Sequence, residues 1–386
     1  MGYCCGMAAK IGVNLSWLIP GQVGGSEEHI LRLLRAANDA GSTDLKIKLY
    51  CSKLLLEKHS DLADRFENHT YRFSGNLRPA RIMQENLWLA KQTRNDDLVH
   101  HAGGVVPFIR SAVPLVTIHD LQPIEMPENF SKVKRAWINY NLPKSVEAAR
   151  LILCPSKFTS ERIQKHYKTS PERIRVVSHG LDPSDLDDEL SENFEPKKLF
   201  GNYLLYPAIT YPHKHHSDLL EVLKLLETEI PDLNLVFTGS AGPLTDELEQ
   251  QSIALGLQDR VHQLGRIDRG KLNALFKSAL ALVFPSAYEG FGNPIVEAMS
   301  LECPVITSNA GALGEVADNA AIMFEPGDVE TLSLRIAKLN SNPGLRGELI
   351  EKGLQRSSEF DWLASGNSLL NAYRDALVLS GSTEAR

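Results

Sequence analysis

The chain has 386 residues, of which 43% are hydrophobic and 23% charged, with a formal net charge of −7. That length accommodates two or three soluble domains at roughly 150 residues each. The acidic balance argues against bulk attraction to nucleic acid or anionic lipid, and no run approaches the roughly 18 consecutive apolar residues of a membrane-spanning helix.

Lys10-Ile-Gly-Val-Asn-Leu-Ser16 reads as the first strand. The loop Trp17-Leu-Ile-Pro-Gly-Gln-Val-Gly-Gly25 follows, and then Ser26 to Arg35 places apolar residues at helical spacing, with Ser26 as the expected N-cap. Further short strands are expected at 47–51, 97–101, 114–119, 151–155 and 173–177, each bounded by turn residues. Composition then shifts. Residues 182–200 open with the acidic Asp182-Pro-Ser-Asp-Leu-Asp-Asp-Glu189 and read as a linker. Alternation resumes with strands at 203–206, 233–237, 261–264, 280–284 and 304–307, and with helices at 217–227 and 270–278. The runs at 280–284 and 304–307 are nearly continuous apolar stretches, as in buried parallel strands. Repeated strand–helix alternation on both sides of the linker predicts two α/β, Rossmann-like, doubly wound domains. The expected bounds are 1–182 and 183–362. A last amphipathic helix, about 363–386, presents Leu369, Ala372, Tyr373, Ala376 and Leu377 on one face and is expected to cross back onto the first domain.

The five cysteines are odd in number and match no zinc or redox spacing. The first ten residues lack the apolar run of a secretory signal. Both point to a reducing, cytoplasmic setting, in which the sequons at Asn68 and Asn129 are chance matches.

Four segments carry chemistry. Gly24-Gly25-Ser26 before a helix lets backbone approach a ligand, and a helix start favours an anion. An ordinary capped loop explains the same pair equally well, and the spacing is not a dinucleotide fingerprint. In Glu289-Gly-Phe-Gly-Asn-Pro-Ile-Val-Glu297, one carboxylate lies in the loop after a strand and one on the helix beyond, with Asn293 as the expected cap and Pro294 at the first position. Carboxylates accept hydrogen bonds from vicinal hydroxyls, which suits a sugar and a ribose. Either glutamate alone is better read as a helix-start or surface charge; the whole segment is more specific. In Tyr211-Pro-His-Lys-His-His216, Lys214 can neutralise a diphosphate. Its three histidines lack helical metal-ligand spacing, so no metal site is expected. His119-Asp120 ends a strand; His119 can donate to a sugar, and Asp120 can orient it. A satisfied polar pair at a turn is the plainer reading of those two residues alone.

Taken together, these segments resemble glycosyltransferase family four, whose members have the GT-B fold, two Rossmann-like domains facing a central cleft. The resemblance covers nearly the whole chain. Phe284 to Met299 is similar to the family's E-x7-E region, and Pro304 to Glu315 to the strand and loop after it. His179-Gly-Leu-Asp182 resembles the interdomain segment, and Phe360-Asp-Trp362 the return to the first domain. The resemblance implies a retaining, metal-independent transfer of a mannose- or glucose-type hexosyl group to a glycan, lipid-linked saccharide or small-molecule hydroxyl. The nucleotide-sugar is a co-substrate, a GDP-sugar slightly ahead of a UDP-sugar, and no cofactor is implied. The first domain would bind the acceptor and the second the donor. Gly24 and Gly25 would approach the donor phosphates, and His119 the sugar near its 6-hydroxyl. Lys214 would bind the diphosphate, and Glu289 a sugar hydroxyl beside the backbone N–H groups of Phe291, Gly292 and Asn293. Glu297 would bind the ribose, with Arg266 and Ile267 flanking the base. The chain departs from the family at Ala208 to Lys214, which lacks the Arg that often precedes the Lys; His213 is the expected substitute.

The competing readings are an epimerase or phosphorylase on the same fold, and a two-lobed sugar-binding protein. The basic stretch Ser131-Lys-Val-Lys-Arg135, with Trp137 close by, reads first as a solvated helix face, with peripheral contact to the inner membrane surface as the alternative.

Overall fold

The short apolar runs become strands of two parallel sheets. In the computed structural model the described residues are 8–20, 25–71, 78–181 and 194–384. Gly24 and the acidic stretch Asp182 to Glu189 lie outside them. Contacts divide the chain into two units, Met1–Gly180 with Trp362–Arg386, and Leu181–Asp361.

The first unit holds β1 (Ala9–Asn14), β2 (Leu45–Ser52), β3 (Glu67–Tyr71), β4 (Leu98–His101), β5 (Val113–Thr117), β6 (Leu151–Cys154) and β7 (Ile174–Val176). They lie in the order β3-β2-β1-β4-β5-β6-β7, every pair parallel. Chain order reverses at β1/β4, and that reversal opens a crevice at the carboxyl ends of these strands. On one face the helix Gly25–Ala40 buries Ile30, Leu31, Leu33 and Leu34. The C-terminal helix Trp362–Glu384 joins that core through Leu369, Leu370, Ala372, Tyr373 and Ala376. Tyr373 also fixes it in register, its hydroxyl lying 2.9 Å from Nδ1 of the buried His100 on β4.

The second unit holds β8 (Asn202–Pro207), β9 (Leu233–Thr238), β10 (Val261–Gln263), β11 (Ala281–Phe284), β12 (Val305–Ser308) and β13 (Ile322–Phe324). Their order, β10-β9-β8-β11-β12-β13, is again all parallel and reverses at β8/β11. Leu204, Leu205, Leu282, Val283, Val305 and Ile306 are at most 1% exposed. Such two-sided burial is what removes polar alternation from a parallel strand.

Several local expectations change. Ser26 is the second residue of the helix Gly25–Ala40 and not its cap. Asn293 is likewise the first helical residue of Asn293–Ser300, and the cap position falls to Gly292 at φ +109°. The region read as linker ends in a short helix, Pro196–Phe200, whose Phe200 ring packs 5.9 Å from Tyr203. β3 and β13, both edge strands, went unread. One is the polar Glu-Asn-His-Thr-Tyr and the other spans three residues.

Candidate active site

In the second unit the loops leaving β8 and β11 meet at the order reversal. The β8 loop forms one turn over Pro212–Lys214 and then starts the helix His216–Leu225. His215 makes that junction in the left-handed region at φ +54°. The β11 loop is fastened to it from below. Ala287 N–H donates to the His213 carbonyl at 2.8 Å, and Ser286 Oγ donates to the same oxygen at 3.2 Å. Ser308 on β12 donates to the Ser286 carbonyl at 2.5 Å. From the other side, Ala312 N–H donates to the Glu289 carbonyl at 3.0 Å. Gly311 makes this approach feasible. It sits at φ +62°, and an added Cβ would lie 2.5 Å from the Glu289 carbonyl oxygen.

This scaffold brings Lys214 and Glu289 into a direct ion pair, each side chain 16% exposed. The Lys214 ammonium also lies 5.5 Å from the Phe284 ring centroid, and its carbonyl accepts from the Tyr206 hydroxyl at 2.8 Å. A cation and a carboxylate thus neutralise one another at the switch point. The start of the helix His216–Leu225 adds positive potential there. The three histidines of the segment diverge. His216 Nε2 donates to the Ala208 carbonyl at 3.2 Å, and His215 Nδ1 pairs with Asp218 at 2.9 Å. His213 lies nearly parallel to Tyr211, ring centroids 5.8 Å apart. Burial and the Lys214 charge press the His213 pKa down to about 4. At neutral pH the ring is uncharged and offers a hydrogen bond.

Glu297 lies one turn into the helix Asn293–Ser300 and pairs with Arg269 Nη1 at 3.1 Å. Arg269 is the first residue of the helix Arg269–Ser278, capped by Asp268. Arg269 escaped the sequence reading, because nothing local in Arg266-Ile-Asp-Arg269 distinguishes it from a surface charge. Arg266 is exposed, while Ile267 is half-buried against the core. Their loop is tied back by Gly239 N–H donating to the Gly265 carbonyl at 2.8 Å. Phe291 is buried with its ring edge-on to Phe360 at 5.6 Å, so its contribution to the loop rim is backbone.

In the first unit His119 follows β5. Its Nε2 donates to the Ala102 carbonyl at 3.2 Å. That bond commits the proton-bearing nitrogen and leaves Nδ1 as an acceptor. Burial lowers the pKa, so the ring is neutral. Its Nδ1 is therefore set to accept a hydrogen bond from a hydroxyl, where a donating role was expected. The Asp120 carboxylate accepts from Gln122 N–H at 2.9 Å. Around His119 gather Trp17 at 6.5 Å and His29 at 5.7 Å between ring centroids. His29 stacks on His179 at 3.7 Å. Gly25 is exposed at the start of the helix carrying His29, and an added Cβ there meets nothing within 4 Å.

Among the described residues no group of three or more His, Cys, Asp or Glu is placed to hold a metal ion, and no helix is long and apolar enough to cross a membrane.

Comparison with known proteins agrees with this architecture. Residues 23–185 match the model described as Glycosyltransferase Family 4, and residues 187–356 that described as Glycosyl transferases group 1. The O-antigen chain mannosyltransferase RfbU of Salmonella typhimurium is 28% identical over 348 residues, spanning 86% of this chain and 91% of its own. The O-antigen chain mannosyltransferase B of Escherichia coli is 28% identical over 284 residues, 72% of this chain and 74% of its own. In fold, the crystal structure of HepE from Anabaena in complex with UDP and glucose superposes with a TM-score of 0.72 at 21% identity, covering 95% of this chain and 99% of that one. WaaG, a glycosyltransferase involved in lipopolysaccharide biosynthesis, superposes at 0.69 with 18% identity, covering 96% and 100%. Two all-parallel sheets with Rossmann strand order, and family matches that together run from residue 23 to 356, lead to one conclusion: the chain belongs to glycosyltransferase family four and is an enzyme of the GT-B fold.

Proposed function

We propose that this glycosyltransferase moves a mannose-type hexosyl group from a nucleoside-diphosphate sugar, GDP-mannose ahead of a UDP-sugar, to a hydroxyl of a glycan or lipid-linked saccharide. The anomeric configuration is retained. The observation that carries the reading is the Lys214–Glu289 pair at the β8/β11 switch point. The names of the mannosyltransferase relatives support the sugar.

In this reading the donor diphosphate takes the Lys214 ammonium and the start of the helix His216–Leu225. Glu289, released from Lys214, accepts from a sugar hydroxyl beside the backbone of Phe291, Gly292 and Asn293. Glu297 takes the ribose hydroxyls, and Arg266 and Ile267 border the base. His213 adds a neutral hydrogen bond. The bond from anomeric carbon to phosphate oxygen breaks as the acceptor oxygen attacks from the same face. The acceptor proton passes to the departing phosphate oxygen, and nucleoside diphosphate and glycoside leave. Lys214 offsets the charge that develops on the leaving group. No metal is required in this scheme.

A thermal-shift screen of GDP-, UDP- and ADP-sugars, followed by NMR of the product's anomeric centre, tests it. Stabilisation by GDP-mannose and an α-linked product are expected. No stabilisation by any nucleotide-sugar, or an inverted product, would overturn it. Activity lost to chelator and restored by a divalent cation would overturn the metal-free scheme.

The same reading places the first unit against a membrane from the cytoplasmic side. The helix Lys132–Ala148 exposes Val133, Trp137 and Tyr140 at 77%, 39% and 59%, among Lys132, Lys134, Arg135 and Lys144. Lys144 Nζ sits 3.4 Å from the Tyr140 ring centroid and 5.1 Å from that of the exposed Phe108. Basic side chains interleaved with aromatics suit an anionic lipid surface better than bulk water. Co-sedimentation with anionic but not neutral liposomes, weakened by salt, is the expected result.

A further inference from the structure

We infer that Arg269 is a positioning residue for ribose recognition: it holds Glu297 in the orientation that reads the nucleotide's sugar hydroxyls. The inference rests on the proposed donor role of Glu297 and deepens it.

Arg269 Nη1 meets Glu297 Oε1 at 3.1 Å, with side-chain exposures of 28% and 21%. This is the ion pair each of the two side chains makes among the described residues. Half-buried at a sheet's carboxyl edge, it is screened less than a surface pair. The Nη1 contact occupies one carboxylate oxygen, Oε1, and leaves Oε2 to accept from a hydroxyl. Vicinal hydroxyls need such an acceptor, because two hydrogen bonds to one carboxylate constrain its plane.

The cost side of this arrangement argues the same way. Arg269 Nε is buried without a hydrogen-bond partner. Extended into solvent, all five N–H donors of an arginine are satisfied by water. Here the guanidinium turns inward toward Glu297 although one donor goes unpaired. Stability alone does not favour that trade, since an unsatisfied buried donor is destabilising. The first residue of the helix is itself fixed: Asp268 Oδ1 accepts from Lys271 N–H at 2.8 Å. Arg269 therefore presents its charge to Glu297 from a rigid base, as a group that orients a binding residue is expected to do.

The test is calorimetric binding of GDP and UDP and of their 2′-deoxy and 3′-deoxy counterparts to the full chain. Wild type should bind one ribonucleotide and discriminate against its deoxy forms by about tenfold or more, the value of one hydrogen bond to a charged group. Glu297→Ala should abolish the discrimination. Arg269→Gln should reduce it to about twofold or less while the ribonucleotide itself weakens about tenfold. Arg269→Lys, which keeps the charge but not the planar fork, should recover part of it. Unchanged deoxy discrimination in Arg269→Gln, or tighter ribonucleotide binding, overturns the inference while leaving the donor reading intact. A wild type that binds neither ribonucleotide overturns the donor reading and the inference together. Should the Gln variant fail to fold, Arg269→Lys carries the test: its discrimination should fall below that of wild type, and unchanged discrimination overturns the inference.

Discussion

The two units share one sheet plan but furnish the edge at their order reversals with opposite chemistry. In the second unit the carboxyl edge of the sheet carries paired charges, Lys214 with Glu289 and Arg269 with Glu297. In the first unit imidazoles gather at the carboxyl ends of the strands, and burial holds His29, His100, His101 and His119 neutral. Paired charges exchange partners when an ionic ligand arrives, so they can meet a diphosphate without leaving a bare ion in its absence. Neutral rings in apolar surroundings hold hydrogen-bonding atoms in fixed directions and suit uncharged hydroxyls. The difference supports the proposed division, with the ionic donor on the second unit and hydroxyl-bearing groups on the first.

The sharpest way to break this comparison is to remove the cation. Lys214→Ala should lower kcat about 10²–10³-fold with a smaller change in nucleotide affinity, because the charge matters most as the leaving group departs. Steady-state transfer kinetics check it; a kcat within a few-fold of wild type would mean that the leaving-group charge is met elsewhere. A smaller effect is expected from the backbone that aims Glu289. Gly311→Ala places a methyl at φ +62° against the Glu289 carbonyl. It should cost about 2–4 kcal/mol of stability and weaken donor binding, both readable in one thermal-shift experiment with and without nucleotide-sugar.

How far the sequence carries this site depends on whether its contacts are local. The parallel strands were legible because two-sided burial writes itself as unbroken apolar runs, as at 280–284. The polar edge strand Glu67–Tyr71 has no such signature. The Glu289-to-Glu297 segment could be placed after a strand and onto a helix from turn chemistry within it, though the cap was assigned one residue late, to Asn293 where Gly292 stands. The partnership of Lys214 with Glu289 was not legible. Each was assigned its own ligand group, whereas the switch-point geometry joins two loops from strands distant in sequence. Arg269 was missed for the same reason, since its meaning arises where two helix starts converge. His119 was found, but the nitrogen that carries its proton depends on the Ala102 carbonyl of a neighbouring strand's loop, which no local pattern encodes.

The first unit's side of the comparison is sharpened by acid. Unfolded, the His100 imidazole takes up a proton as pH falls through its ordinary 6.5; folded, burial keeps it neutral down to about 3. Between those values the unfolded chain holds the extra proton, so stability is full above about pH 6.5 and declines as pH falls. Each such histidine removes about 1.4 kcal/mol per pH unit across that window. His101, also neutral down to about 3, adds a second increment of the same sign. His100→Gln should therefore start less stable, because it disturbs the hydrogen bonds to Tyr373 and Thr117. Its stability should nonetheless fall less steeply with acid, by about one proton. Chemical denaturation at half-unit steps from pH 7 to 4.5 reads both. Equal slopes in the two proteins would mean that His100 takes up a proton in the folded state and that this edge is not built on neutral rings, whatever the variant's stability at pH 7.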